Sequence, residues 1–187
     1  MNLCTVLIPS RGRVEQLFRC IDSICESAVS GDYGISIRLD DNDYPTLGRI
    51  DELRSYPMVH VDVGVQPTYE SLDRDVYTPM ARAAESLWVW IFNDDMTVIG
   101  RGWDSRLAEV PETGYWCQPE IHRLNNSHYP KDEEGCAPFF INDCWRTLKI
   151  SDDLPGPCDR VLVSELRKQG WKAWFLDDIT VFHDRNK

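Results

Sequence analysis

No C-x-x-C pair occurs in this chain, although it carries seven cysteines, at positions 4, 20, 25, 117, 136, 144 and 158. An odd count without paired spacing suggests neither a disulfide framework nor a zinc site. Reduced thiols fit a cytoplasmic compartment. Also missing is any stretch approaching the roughly 18 apolar residues of a membrane helix. The opening Met1-Asn2-Leu3-Cys4-Thr5 lacks the apolar length and cleavage site of a signal peptide. Basic residues are few: 20 Lys and Arg face 31 Asp and Glu, a formal charge of −11. That balance argues against a broad grip on nucleic-acid backbone. There is no internal repeat and no low-complexity segment. What is present, 187 residues at 42% hydrophobic and 27% charged, is enough for one buried core and short for two.

The order of segments points to an α/β protein. Leu3 to Pro9 is a nearly continuous apolar run, as expected of a strand buried on both faces of a mainly parallel sheet. From Val14 to Ala28 the apolar residues Val14, Leu17, Phe18, Ile21, Ile24 and Ala28 fall on one helical stripe. A second strand is expected at Ile35 to Leu39, a short helix at Thr46 to Arg54, and a third strand at Met58 to Val63. Residues 64–78 read as loop, followed by a helix from Thr78 through Leu87. Leu87 to Phe92 is the most apolar strand candidate and runs straight into Asn93-Asp94-Asp95. Beyond it the pattern gives a turn and helix at Gly100 to Leu107 and strands near Tyr115 to Pro119 and Cys136 to Asn142. A helix at Asp159 to Gln169 and a last strand at Trp174 to Phe182 complete it.

In open α/β sheets ligands gather beyond the carboxyl ends of the strands. Three polar clusters stand at such ends: Pro9-Ser10-Arg11-Gly12-Arg13, Asp40-Asp41-Asn42-Asp43, and Asn93-Asp94-Asp95. They are expected to be neighbours in space. Carboxylates gathered side by side repel one another, and a divalent cation offsets that repulsion. Arg11 and Arg13 carry guanidinium forks that match phosphate geometry.

The run VLIPSRGR, then a helix, then IRLDDND, then an apolar strand ending in NDD, resembles the GT-A fold of glycosyltransferase family 2, over most of the chain from Leu3 to His183. The resemblance implies a small, phage-type member with one domain. Residues 1–95 would form the nucleotide-binding half and residues 96–187 the acceptor-binding half. It implies that Asp40 and Asp41 contact the nucleoside of a nucleotide diphospho-sugar, with UDP the expected nucleotide. It further implies that the Asn93-Asp94-Asp95 triplet holds Mn2+ or Mg2+ against the diphosphate. The triplet departs from the family's D-x-D, because an amide replaces its first acid. Asp95 then matches the direct metal ligand, and Asn93 is left to reach the ribose or a metal-bound water. His183 in ITVFHD resembles the family's late histidine and would be a second ligand. Asp159, with Arg167 and Gly170 downstream, resembles the acid at the start of a late helix. As general base it would make transfer of the sugar to an acceptor hydroxyl inverting. The acceptor stays open among a glycan, a protein and a modified nucleobase.

Each of these residues also has a plainer reading. Asp40 and Asp41 suit a turn, Asp159 suits a helix N-terminus, and His183 suits a solvated position near a chain end. Asp143, Asp152 and Asp153 are rival bases. Trp103 and Trp145 lie outside the clearest strands and are candidates to line an acceptor cleft. Two other functions share the pattern. A nucleotidyltransferase of related fold is one, although no Gly-rich loop follows the first strand. A non-catalytic nucleotide- or sugar-binding module is the other, suggested by Asn93.

Overall fold

The computed structural model describes residues 2–68, 71–123, 137–147 and 158–184, with 73, 123, 145–147 and 158–161 described by backbone alone. The chain begins with β1 (Cys4–Ser10), α1 (Val14–Ser27), β2 (Tyr33–Asp40), α2 (Tyr44–Leu47), α3 (Ile50–Arg54) and β3 (Val59–Gly64). A π-helical turn (Asp73–Tyr77) leads into α4 (Thr78–Ala83), β4 (Trp88–Ile91), β5 (Met96–Ile99) and α5 (Trp103–Leu107). Then come β6 (Tyr115–Arg123), β7 (Phe139–Ile141), α6 (Asn142–Thr147), α7 (Cys158–Lys168) and β8 (Lys172–His183).

Among the described residues eight strands form one sheet in the order β3-β2-β1-β4-β7-β6-β8-β5. The pairs β3–β2, β2–β1, β1–β4 and β6–β8 are parallel, whereas β4–β7, β7–β6 and β8–β5 are antiparallel. The pairs among β1, β2, β3 and β4 are thus parallel, as the alternating segments imply, and every antiparallel pair involves a strand from the later part of the chain. All four residues of β4 are buried, which requires cover on both faces. The core centres on this strand. Trp90 stacks on Phe139 with centroids 4.1 Å apart and meets Trp103 at 4.9 Å. The Trp90 indole N–H donates to the Ala137 carbonyl at 2.8 Å.

Several local expectations need correction. The stretch from Thr46 to Arg54 divides into α2 and α3, because Gly48, a poor helix former, is the C-cap of one and Arg49, at φ −116, leaves the helical region as the N-cap of the next. The helix opened at Thr78 stops at Ala83, not Leu87. Ala84 is extended at ψ 128, and the Asn142 amide donates to the carbonyls of Ala84 and Ser86 at 2.7 and 3.2 Å, holding the chain out of the helix. Trp103 lines no acceptor cleft. It is fully buried, with its indole N–H 3.3 Å from the Ile24 carbonyl. The side chain of Trp145 lies outside the described residues.

One buried acid explains how α1 is tied to this core. Asp104, fully buried, accepts hydrogen bonds from the Val29, Ser30, Gly31 and Ser105 N–H groups and from the Ser30 hydroxyl, at 2.6 to 3.1 Å. Burial pushes its carboxyl upward, but the Ser30 hydroxyl and the three loop N–H groups outweigh burial and leave it below the ordinary value. A depressed folded value means that the stabilisation is fully present above the unfolded value of about 3.9 and is lost as pH falls through the folded one. Asp104→Asn is therefore expected to cost about 3 kcal/mol near pH 7. Urea unfolding of both proteins checks this, and the difference should shrink as pH falls below about 4.

Candidate active site

Register brings the polar clusters together. Leu7 of β1 pairs with Ile91 of β4, so Ser10 and Asp94, each three residues farther on, arrive level. The Ser10 hydroxyl donates to Asp94 Oδ2 at 2.8 Å. On the other side of β1, Ser10 pairs with Leu39, which places Arg11 level with Asp40. Arg11 Nη1 donates to Asp40 Oδ2 and to Asn42 Oδ1, both at 2.9 Å. The loop between β1 and α1 is pinned by the Gly12 N–H donating to Asp43 Oδ2 at 2.8 Å.

The far end of the chain enters through β5, which pairs antiparallel with β8 so that Met96 faces His183. The Asp184 N–H donates to the Asp95 carbonyl at 2.8 Å. As a result His183 Nε2 sits 3.2 Å from Asp95 Oδ1, with both side chains at most 10% exposed. Asp95 Oδ1 is buried and meets no donor with full hydrogen-bond geometry, although His183 at this distance still acts on the carboxyl. Arg13 spans the two acids, its Nη1 lying 2.9 Å from Asp94 Oδ1 and 3.0 Å from Asp95 Oδ2.

The two acids differ in their environment. Burial raises the Asp94 carboxyl above its ordinary value despite the Ser10 hydroxyl and the Arg13 charge. Burial also pushes Asp95 upward, but His183 and Arg13 outweigh it and hold this carboxyl below its ordinary value. Asp95 is therefore the better anion of the pair. Asn93 is fixed at the wall by Tyr77, whose single hydroxyl proton is shared between Asn93 Oδ1 and the Phe92 carbonyl, both 3.1 Å away.

These residues surround a cleft of about 520 Å³, lined by Pro9, Ser10, Arg11, Arg13, Asp40, Asn93, Asp94, Asp95 and His183. Asp41 is exposed and is not among the lining residues. Asp159 lies in the first turn of α7 by its backbone, and its side chain lies outside the described residues, as do Asp152 and Asp153. Asp143 is exposed in the first turn of α6.

Sequence reasoning missed part of the lining: Arg38, Gln66, Pro67, Thr68, Leu72 and Val76. For the segment carrying most of them, the signal was a connection of 15 residues, long enough to expect a binding role. For Arg38 it was a cation inside an otherwise apolar strand. Its guanidinium lies over Gly64, where any Cβ would overlap it, and its Nε is buried without a hydrogen-bond partner.

The donor set suits a divalent cation held jointly with a ligand. Two donors each about 2.1 Å from an ion and at right angles to one another stand about 3 Å apart, close to the 3.2 Å observed between Asp95 Oδ1 and His183 Nε2. The partnerless Asp95 oxygen is the acceptor such an ion would satisfy. Among the described residues no three His, Cys, Asp or Glu side chains converge on one point. Two such donors would leave the remainder of a cation's shell to substrate phosphates.

No protein-family model matches the chain, and no curated protein matches it by sequence. Solved structures do match. S. aureus TarS 1-349 superimposes with a TM-score of 0.76 at 11% identity, covering 98% of this chain and 60% of that one. The same TarS fragment in complex with UDP-GlcNAc gives 0.76 at 10% identity, covering 100% and 59%. GalNAc-T7 with UDP, GalNAc and Mn2+ gives 0.77 at 12% identity, covering 98% and 43%. The chain has the GT-A fold of these glycosyltransferases and spans at most about 60% of their length.

Proposed function

We propose that this chain transfers a sugar from a nucleotide diphospho-sugar, with UDP as the nucleotide, to an acceptor hydroxyl with the help of a divalent cation. The observation that carries the reading is the cleft where the ends of β1, β2, β4 and β8 deliver Ser10, Arg11, Arg13, Asp40, Asp95 and His183. UDP in the neighbouring TarS and GalNAc-T7 structures, and Mn2+ in the latter, supports it.

In this reading residues 1–95 form the nucleotide-binding half. Asp40, oriented by Arg11, accepts from the nucleoside, with Asp41 at its rim, and Arg38 offers its unpartnered Nε to an acceptor on the same ligand. Arg11 and Arg13 place guanidinium groups where a diphosphate is anionic, and α1 begins directly after Arg13, so its N-terminus favours the same charge. Asn93, held by Tyr77, presents its amide to the ribose. Asp95 and His183 would hold Mn2+ or Mg2+. When bound, that cation supplies charge neutralisation for the departing diphosphate. Residues 96–187 form the acceptor-binding half, where Asp159 takes the proton of the attacking hydroxyl and the anomeric centre inverts. A glycan, a protein or a modified nucleobase would offer that hydroxyl.

An assay for free UDP tests this without knowledge of the acceptor, because water can take the place of the acceptor hydroxyl at the anomeric carbon. A panel of UDP-hexoses and UDP-pentoses with Mn2+ should give UDP release from at least one sugar. Release of pyrophosphate from a nucleoside triphosphate and a sugar phosphate would point instead to a nucleotidyltransferase. Binding of nucleotide without turnover would point to a binding module.

A further inference from the structure

Arg13 is placed to do more than meet a diphosphate. One of its nitrogens holds two carboxylates at once, at 2.9 Å from Asp94 and 3.0 Å from Asp95. We infer that Arg13 couples the two ligands of this cleft, occupying the acids as an internal cation until a donor diphosphate draws it away. The inference rests on the nucleotide-sugar reading and extends it to how the site is controlled.

Three features support it. First, exposure is unequally distributed. The Arg13 side chain is 46% exposed, whereas those of Asp94 and Asp95 are 6% and 10% exposed, so the arginine has open space to move into and the acids are enclosed by the wall. Second, both acids keep company when it leaves: Asp94 retains the Ser10 hydroxyl, and Asp95 retains His183 at its other oxygen. The ligand pair therefore stays in position. Third, Arg13 has somewhere to go. It lines the same cleft as Arg11 and Arg38, and a guanidinium pairs with phosphate oxygens in the same forked manner as with carboxylates.

The electrostatic consequence follows directly. A guanidinium on Asp95 Oδ2 cancels part of the negative potential that a cation at Asp95 Oδ1 would feel, so a free divalent ion binds weakly. A diphosphate that takes Arg13 onto itself restores that potential and brings oxygens of its own. Cation affinity then rises with donor present, and by linkage donor affinity rises equally with cation present.

The test reads Mn2+ binding from the electron paramagnetic resonance signal of the free ion, with and without UDP, for the wild type, Arg13→Gln and Arg13→Lys. Thermal unfolding serves as a check of folding. In the wild type UDP should tighten Mn2+ about tenfold or more. Arg13→Gln should bind Mn2+ alone about tenfold more tightly than the wild type and show a smaller response to UDP. Arg13→Lys, which keeps the charge, should restore weak binding of the ion alone. Arg13→Met, which keeps the apolar stem, replaces Arg13→Gln in the comparison should the latter unfold. Unchanged Mn2+ affinity in the charge-removing variant, with the full UDP response retained, overturns the coupling while leaving the nucleotide reading intact. A wild type that binds no nucleoside diphosphate overturns both.

Discussion

Asp95→Ala should lower sugar transfer by about a thousandfold or more, equivalent to roughly 4 kcal/mol at the transition state. The size follows from what the side chain does. Its Oδ1 is the buried acceptor without a hydrogen-bond partner beside His183, and its Oδ2 is one of the two anchors for Arg13. Removing it deletes a proposed cation ligand and releases Arg13 from one of its two acids. Asp94→Ala makes the informative contrast. Asp94 is buried and bound to Ser10 and Arg13, so its loss should disturb folding more and cation binding less. Parallel measurement of turnover, Mn2+ affinity and unfolding midpoint for the two variants separates a ligand from a structural acid.

Asp159→Ala should leave donor and cation binding within about twofold of the wild type and lower transfer by about a hundredfold to ten-thousandfold, the usual range for loss of a general base. The expectation combines the resemblance in sequence with the place of Asp159 in the first turn of α7. Leu162, Val163 and Leu166 anchor the rest of that helix in the core, and alanine is the best helix former, so the variant should fold. Single-turnover transfer alongside UDP binding checks both halves of the statement. Equal loss from Asp143→Ala, Asp152→Ala or Asp153→Ala, with Asp159→Ala fully active, would move the base to that residue.

The parallel half of the molecule was legible because its signals are local. Unbroken apolar runs such as Leu3 to Pro9 mark strands buried on both faces, and polar clusters at their ends mark the edge where a ligand belongs. Once β1, β2 and β4 are known to be parallel neighbours, the levels of Ser10, Arg11, Asp40 and Asp94 follow from counting residues. The resemblance supplied His183, but its position beside Asp95 depends on β5, a strand of four residues (Met96–Ile99) too short to announce itself beside a polar triplet. Pairing of β5 with β8 is a contact between segments more than 80 residues apart, and no local pattern encodes it. Asp41 illustrates the opposite difficulty. Adjacent acids look equivalent in a sequence, yet at the end of a strand successive side chains face different ways, and Asp40 is buried in the cleft while Asp41 is exposed. The segment 64–78 was legible as a loop but not as a wall, because Gln66, Pro67, Thr68 and Leu72 line the cleft from outside any strand or long helix and only Val76 does so from a short π-helical turn, so no periodic mark announces them.

The GT-A fold places this chain among architectures that carry many activities, so function has to be argued from the cleft. Its character is balanced. Three arginines face three aspartates among the lining residues, which suits a doubly charged diphosphate arriving with a doubly charged cation better than either alone.

The most direct measurement is calorimetric titration of UDP into the wild-type chain, first with Mn2+ and then with the metal removed by chelator. The expected result is saturable binding with Mn2+ that weakens at least tenfold on chelation and is equally weakened in Asp95→Ala. Absence of heat with UDP and every other nucleoside diphosphate, or binding indifferent to both the metal and Asp95, would contradict the account.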